Sequence, residues 1–136
     1  MKIYLASPFF NEKEILVYEE VIKKLRQKHE VFVPREHVIE NAWEMTNKDW
    51  GKAVYDMDVD AIRDCDVLVA LNWGLYSDSG TAWECGFACG IGKDVINLIC
   101  DQEKEYSVMM INGSKEVKNL EDELFDVVTS INILQK

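Results

Sequence analysis

Short apolar runs alternate with amphipathic segments from the start of the chain. Lys2–Ala6 and residues 30–34 are predicted to form strands, and Asn11 is predicted to cap a helix between them. The apolar positions of that helix recur at helical spacing: Ile15, Tyr18, Val21, Ile22 and Leu25. A strand, a helix and a second strand in this order indicate a parallel sheet with a right-handed crossover.

The alternation continues along the rest of the chain. The remaining elements are predicted at residues 52–64 (helix), 66–71 (strand), 78–92 (helix), 94–99 (strand), 116–119 (short strand) and 121–134 (closing helix). We therefore predict one domain spanning residues 1–136, with the α/β class of fold. Its sheet is expected to be flavodoxin-like, doubly wound and parallel, with five strands in the order 2-1-3-4-5.

This strand order predicts where a ligand binds. In open α/β sheets the binding crevice lies beyond the carboxyl ends of the strands, at the point where the winding reverses. Here that point falls between strands one and three. Residues 4–10, Asp58 and residues 78–84 are expected to meet there.

Residues 78–88 (DSGTAWECGFA) follow the predicted central strand and begin a helix that carries Glu84. Small residues leave one side of this helix nearly bare, so that backbone or ligand can approach closely. They are Gly80, Ala82, Gly86, Ala88 and Gly90. Thr81 and Glu84 also fit a capping box, in which the Glu side chain serves the helix start. The small residues and the nearby Asp78 favour a functional site, but the motif alone leaves both interpretations open.

Asp58 lies in the predicted helix 52–64, inside the apolar arc formed by Tyr55, Val59 and Ile62. Burying a carboxylate is costly unless it is paired or has a function, which favours a functional role for Asp58. The helix's other acidic residues point away from the arc and are predicted to be solvated: Asp56, Asp60 and Asp64.

Residues 35–50 show no clear periodicity and contain His37, Trp43 and Trp50. An aromatic-rich loop at the carboxyl end of a strand can form a lid over a base-binding site. A short amphipathic helix that packs its tryptophans on the core explains the same pattern equally well, and both alternatives remain open.

The motif Asp78-x-Gly80-x-x-x-Glu84-x-Gly86 and the opening residues 2–10 (KIYLASPFF) resemble the nucleoside 2-deoxyribosyltransferase family. The resemblance covers roughly residues 1–120. It implies that the enzyme transfers the 2-deoxyribosyl group between nucleobases of 2′-deoxynucleosides. The transfer would be retaining and ping-pong, with a covalent sugar ester on the enzyme and slow hydrolysis as a side reaction.

The resemblance also assigns roles to single residues. Glu84 is the expected nucleophile, Asp58 contacts the base and handles its proton, Asp78 binds the sugar hydroxyls, and Tyr4 orients Glu84. Gly80 of the motif is expected among the substrate-binding residues.

Alternatives remain for the aromatic residues of the first strand and loop. Tyr4 could simply pack in the core. Phe9 and Phe10 could stack on the base or close the core beneath the loop. The family often carries an amide side chain that reads the base in the stretch matching residues 34–38. None stands there, and His37 is the residue of this stretch that we expect to contact substrate.

The family resemblance further predicts a homo-oligomer with shared active sites, in which Ser107 and Met109 line a neighbour's pocket. Related deoxynucleoside 5′-monophosphate N-hydrolases carry a serine at the position of Ser107, which keeps hydrolysis of nucleotides as an alternative. Asp78 would repel a 5′-phosphate and favours nucleosides. A non-catalytic module, either nucleotide-binding or an acidic receiver, is the alternative of another class. A receiver would place two carboxylates at the end of strand one, which here ends Ala6-Ser7-Pro8.

The composition of the chain disfavours some classes of binding partner. The 136-residue chain has 48% hydrophobic residues and a net charge of −10, which disfavours a nucleic-acid polymer or an anionic membrane as partner. Four cysteines are expected to be small buried residues of a cytoplasmic protein rather than metal ligands. No signal peptide, membrane span, metal or cofactor is predicted.

Overall fold

Five parallel strands form one sheet in the order β2-β1-β3-β4-β5, which confirms the predicted topology. The computed structural model describes residues 1–76, 78–101 and 103–120. The strands are β1 (Lys2–Ala6), β2 (Glu30–Phe32), β3 (Val67–Asn72), β4 (Asp94–Ile99) and β5 (Glu116–Asn119). The closing helix predicted at residues 121–134 lies outside the described residues.

The helices connect successive strands. They are α1 (Glu12–Leu25), α2 (Asn47–Asp64), α3 (Ser79–Gly90) and α4 (Val108–Asn112), with 3-10 turns at Pro34–Glu36 and Ala42–Glu44. The predicted cap of α1 is confirmed, since the Asn11 side chain accepts a hydrogen bond from the Glu14 amide at 2.9 Å.

Alternate residues of β1 face opposite sides of the sheet. Ile3 and Leu5 are buried with Tyr18 and Leu25 of α1. The wholly buried Tyr4 faces the other side, where the core includes residues of α2, β3 and α3: Ile62, Leu68, Cys85 and Ala88. Tyr4 therefore points towards the helices that carry Asp58 and Glu84.

The structure corrects the interpretation of residues 35–50. Helix α2 begins at Asn47 rather than at residue 52, because the Thr46 side chain caps it by accepting from the Asp49 amide at 3.1 Å. Trp43 is 81% exposed and does not pack on the core, so the alternative of a helix that buries its tryptophans is wrong at this residue. Trp50 is half exposed and belongs to α2.

One smaller expectation, the burial of all four cysteines, also changes. Cys89 is exposed, whereas Cys65, Cys85 and Cys100 are buried as predicted. Within the described ranges, no cluster of three or more His, Cys, Asp or Glu side chains is placed to hold a metal ion. In the same residues, no helix combines the length and apolar character needed to cross a membrane.

Candidate active site

The hydroxyl of Tyr4 donates a hydrogen bond to Oε2 of Glu84. Glu84 lies in the second turn of α3, which starts at Ser79. The residue that caps this helix is Asp78, whose carboxylate accepts from the amides of Gly80 at 3.2 Å and Thr81 at 3.0 Å. Thr81 is inside the helix, so the capping-box interpretation of Glu84 is wrong. The Glu84 side chain points towards β1 instead.

The surroundings of Glu84 shift the pKa of its carboxyl group. Burial raises the pKa of Glu84 to about 7, because an ionised carboxylate loses solvation there. The hydrogen bond from Tyr4 opposes this shift, whereas the nearby carboxylates of Asp58 and Asp78 add to it. Glu84 is therefore held near its titration point at neutral pH.

Asp58 projects from α2 into the same region. Its Oδ1 atom is buried and has no hydrogen-bond partner in the described part of the chain. Burial raises the pKa of Asp58 to about 6, and the electrostatic influence of His37 partly opposes the shift. Asp56 and Asp64 are instead ion-paired with Lys52 and Lys2 at the surface, at 2.7 and 3.1 Å. Asp58 is thus the acidic residue of α2 that lies near Glu84, the predicted nucleophile.

A cavity of about 400 Å³ opens beside the carboxyl groups of Asp58 and Glu84. It is lined by Ser7, Phe9, Phe10, Tyr18, Pro34, Arg35, His37, Trp50, Val54, Met57, Asp58, Asp78 and Glu84. Six of the ten predicted site residues therefore meet in one cavity. Tyr4 does not line the cavity but is hydrogen-bonded to Glu84, which does. The crevice predicted from the strand order lies at this place.

A second cavity of about 320 Å³ reaches Asp58 and Glu84 from the side of α2 and α3. Gly80 lines this second cavity together with the half-exposed rings of Tyr55 and Trp83. These two rings contact each other edge to face, with centroids 5.5 Å apart. Tyr55 is thus less buried than its position on the helical wheel predicts.

The two phenylalanines of the first loop behave differently. Phe9 is 39% exposed and stacks on the buried Tyr18, with ring centroids 5.9 Å apart, so that it closes the core and faces the cavity at once. Phe10 is 74% exposed and does not close the core. His37 stacks on Phe32 at 4.2 Å, and Phe32 stacks on Tyr4 at 5.5 Å, which extends one aromatic column from the loop to Tyr4.

Ser107 and Met109 lie at α4, outside the main cavity. The Ser107 side chain caps α4 by accepting from the Met110 amide at 3.4 Å. Ser107 also shares a cavity of about 310 Å³ with Asp78. Met109 is 80% exposed and borders an apolar groove between α3 and α4.

Sequence reasoning missed Arg35 as a cavity residue. Its guanidinium lies over the ring of Phe9, 5.8 Å from the centroid. The available signal was its position directly after the carboxyl end of the second strand, where ligand-binding loops begin.

Two carboxyl groups with raised pKa values, Glu84 and Asp58, line the cavity, and the Tyr4 hydroxyl is hydrogen-bonded to Glu84. Such a pair can supply a nucleophile and a proton donor at neutral pH. One member can be ionised while the other stays protonated, because each resists carrying charge beside the other.

Comparisons with known proteins show which enzymes the chain resembles. The family model described as nucleoside 2-deoxyribosyltransferase matches residues 3–121. The solved structure of a 2-deoxyribosyltransferase from Bacillus psychrosaccharolyticus is 30% identical, covers 95% of each chain and superimposes with a TM-score of 0.78.

Two further relatives differ in their activity. A nucleoside deoxyribosyltransferase of Lactobacillus leichmannii is 24% identical over 112 residues, which are 74% of this chain and 71% of that protein. A 5-hydroxymethyl-dUMP N-hydrolase of Danio rerio is 26% identical over 145 aligned positions, covering 95% of this chain and 99% of that protein. The relatives therefore include both a transferase and a hydrolase.

Proposed function

Because the chain belongs to the nucleoside 2-deoxyribosyltransferase family, we propose that it transfers the 2-deoxyribosyl group between nucleobases of 2′-deoxynucleosides. Slow hydrolysis accompanies the transfer when no acceptor base is present. The observation that carries the proposal is the hydrogen bond from Tyr4 to Glu84, beside a cavity that Asp58 also lines. This arrangement presents a carboxylate nucleophile and an acid to one substrate.

In the first half-reaction the ionised Glu84 attacks C1′ of the deoxyribose. The bond from C1′ to the base nitrogen breaks, and its electron pair stays with the base. Asp58 gives its proton to the departing base, either at the nitrogen that leaves C1′ or at another basic atom of the ring, so that the base departs as a neutral molecule. The sugar is then held as an ester on Glu84.

In the second half-reaction a nitrogen of the acceptor base attacks C1′ from the face that the first base left. The ester bond breaks and returns its electron pair to Glu84, while the proton lost by the acceptor base goes to Asp58. Two successive inversions retain the configuration at C1′. Water in place of the base gives free deoxyribose, which is the hydrolytic side reaction.

The carboxyl pair can hold the single proton that the first half-reaction requires. With pKa values raised to about 7 for Glu84 and about 6 for Asp58, the pair holds one proton over a narrow range near neutral pH. The higher pKa places this proton mainly on Glu84 in the free enzyme, and the hydrogen bond from Tyr4 opposes that preference by stabilising negative charge on Glu84. The first half-reaction starts from the less populated form, in which Glu84 is ionised and Asp58 carries the proton.

The charge of Asp78 supports nucleosides rather than nucleotides as substrates. Its carboxylate caps α3: Oδ2 accepts from both the amide and the hydroxyl of Thr81, whereas Oδ1 accepts from the Gly80 amide and can accept one further hydrogen bond. A 5′-hydroxyl can donate that bond. A 5′-phosphate at the same place would bring two negative groups together in a partly dry site, at a cost of several kcal/mol.

A 5′-monophosphate N-hydrolase is the second candidate. Two observations favour it: the N-hydrolase from Danio rerio aligns with nearly the whole chain, and Ser107 lines a cavity next to Asp78. A serine hydroxyl can bond either a phosphate oxygen or a sugar hydroxyl, so Ser107 is compatible with both candidates.

We further propose that the protein works as a homo-oligomer in which Ser107 and Met109 complete a neighbour's site. The exposure of Met109 and the adjacent 72% exposure of Val108 leave an apolar surface on α4 that a second copy can cover.

A side-by-side assay of deoxyadenosine and its 5′-monophosphate, each with and without hypoxanthine, tests the proposal. We expect faster cleavage of deoxyadenosine and formation of deoxyinosine when hypoxanthine is present. Faster cleavage of the monophosphate, unaffected by hypoxanthine, would establish the N-hydrolase instead.

A further inference from the structure

The main cavity contains a charged group that the proposed reaction does not use, the guanidinium of Arg35. Arg35 lies in the 3-10 turn that directly follows β2 and lines the cavity together with Phe9 and His37. Its guanidinium rests over the Phe9 ring, 5.8 Å from the centroid. A cation in this position is held by the electron-rich face of the ring, which leaves its N–H groups free to point elsewhere.

The donors of Arg35 are available, whereas those of a neighbouring arginine are not. Arg26 donates to the Glu36 carboxylate and, at 3.1 Å, to the Val31 carbonyl. Within the described residues, the guanidinium of Arg35 forms no hydrogen bond or ion pair. Five N–H donors therefore stand at the wall of a cavity that a substrate would enter.

Arg35 lies on the side of the cavity that is formed by the first loop. Burial raises the pKa of Tyr18, which stacks on Phe9, and the charge of Arg35 partly opposes this shift. In the proposed function C1′ lies at Glu84 and the 5′ end of the sugar at Asp78, which line the cavity from α3 and its cap. The wall formed by Phe9, Arg35 and His37 is thus left for the base.

A guanidinium can only donate hydrogen bonds, and this property discriminates between nucleobases. Hypoxanthine, guanine, uracil and thymine carry a carbonyl oxygen where adenine and cytosine carry an amino group. The carbonyl accepts from a guanidinium, whereas the amino group presents a second donor that cannot pair with it.

We propose that Arg35 reads this exocyclic group and makes the enzyme select oxo-bases over amino-bases. The proposal rests on the proposed function and extends it to a substrate class. It predicts the same direction of preference for purines and pyrimidines, because the discriminating group is the same in both.

The test compares cleavage of deoxyinosine with deoxyadenosine, and of deoxyuridine with deoxycytidine, in wild type and variants. In the wild type we expect kcat/KM to favour each oxo substrate by roughly tenfold or more. Arg35→Met keeps the apolar stem but removes the donors, and should lower kcat/KM for both oxo substrates by about tenfold while changing the amino substrates by less than about twofold. Arg35→Lys should keep only part of the preference, because the lysine ammonium lacks the planar fork of N–H donors of a guanidinium.

Arg63→Met is the matched control. The Arg63 guanidinium lies over the Phe87 ring at 5.3 Å, in the same kind of contact but away from the main cavity. It should leave all four rates unchanged. Circular dichroism checks that the variants of these surface arginines are folded.

Each other outcome contradicts the proposal in a recognisable way. An equal loss on all four nucleosides in Arg35→Met would assign Arg35 a general role in binding or structure. A loss confined to 5′-monophosphates, measured in parallel, would make Arg35 a phosphate ligand. If the wild type cleaves no nucleoside or nucleotide, the proposed function itself fails. If it cleaves them without preference, only the inference about Arg35 fails.

Discussion

The hydroxyl of Tyr4 on β1 donates a hydrogen bond to the carboxylate of Glu84 on α3, although the two residues are 80 positions apart in the chain. The pleat of β1 turns Tyr4 towards α2 and α3, and the cap of α3 at Asp78 places Glu84 in the second turn of the helix. The fold thus fixes the orientation of the predicted nucleophile through one buried side chain.

Loss of the Tyr4 hydroxyl should slow the reaction and move its pH dependence. In the wild type, kcat/KM should be greatest between about pH 6 and 7, where the Asp58–Glu84 pair holds one proton, and fall on either side. Tyr4→Phe removes the bond that favours the ionised Glu84, so the pKa of Glu84 rises. The alkaline limb should move to higher pH and kcat/KM should fall about tenfold.

Tyr106→Phe is the control for this experiment. The Tyr106 hydroxyl also forms hydrogen bonds, to the carbonyls of Asp101 at 2.5 Å and Asn72 at 3.3 Å, but it lies outside the main cavity. Its variant should keep both limbs of the profile in place. A Tyr4→Phe profile identical to wild type would mean that the hydroxyl does not influence Glu84 during turnover.

If Asp58 protonates the departing base, the cost of its removal should depend on the leaving group. Asp58→Asn should lower kcat/KM for deoxyadenosine by about 100-fold to 10,000-fold. N7-methyl-2′-deoxyguanosine already carries a positive charge on its base, so its cleavage should be much less affected. Initial rates for both substrates measure the difference.

Asp56→Asn provides the comparison on the same helix, because Asp56 is exposed and paired with Lys52. It should react like the wild type with both substrates. An equal loss for the two nucleosides in Asp58→Asn would show that Asp58 binds or positions the substrate rather than protonating it.

Glu84 should lower the stability of the folded protein at alkaline pH. Its pKa is raised from about 4.5 to about 7, so the folded state binds more protons than the unfolded state between these values, and stability falls as pH rises through this window. Glu84→Gln cannot ionise but can still accept from Tyr4. It should be inactive yet more stable than wild type by roughly 1–3 kcal/mol at about pH 8, with the gain shrinking towards about pH 4.

Urea unfolding at the two pH values measures this difference. Glu20→Gln, a substitution at an exposed position of α1, should change stability little at either pH. A Glu84→Gln variant that is less stable than wild type at alkaline pH would show that Glu84 serves the fold rather than the reaction.

Much of this architecture follows from sequence pattern, because buried parallel strands require continuous apolar runs and their order follows from right-handed crossovers. Asp58 could be found because a carboxylate inside an apolar arc has few structural explanations. The start of α3 could not be decided from the sequence, since Asp78 and Thr81 are both good cap residues. In the structure Asp78 has extended backbone angles and its side chain accepts from the amides of Gly80 and Thr81. Arg35 was missed because a surface arginine has no periodic pattern that reveals a cavity.

The exposed apolar surface of α4 should mediate self-association. Met109→Lys places a charge where the proposed neighbour would bury Met109, and should shift the protein towards monomers and lower its activity. Size-exclusion chromatography with light scattering, combined with an activity assay, measures both effects. Leu16→Lys, at a 61% exposed position of α1, should change neither. A wild-type monomer with full activity would contradict the shared site.

The proposed reaction requires Glu84 to form a covalent ester with the sugar. The most direct measurement is to incubate the enzyme with a 2′-fluorinated deoxynucleoside analogue, whose fluorine slows breakdown of the ester, and to map the label by peptide mass spectrometry. We expect a mass increase of one fluorinated sugar on Glu84, in proportion to lost activity and absent from Glu84→Gln. Cleavage of substrate without any such adduct, or an adduct on another residue, would contradict it.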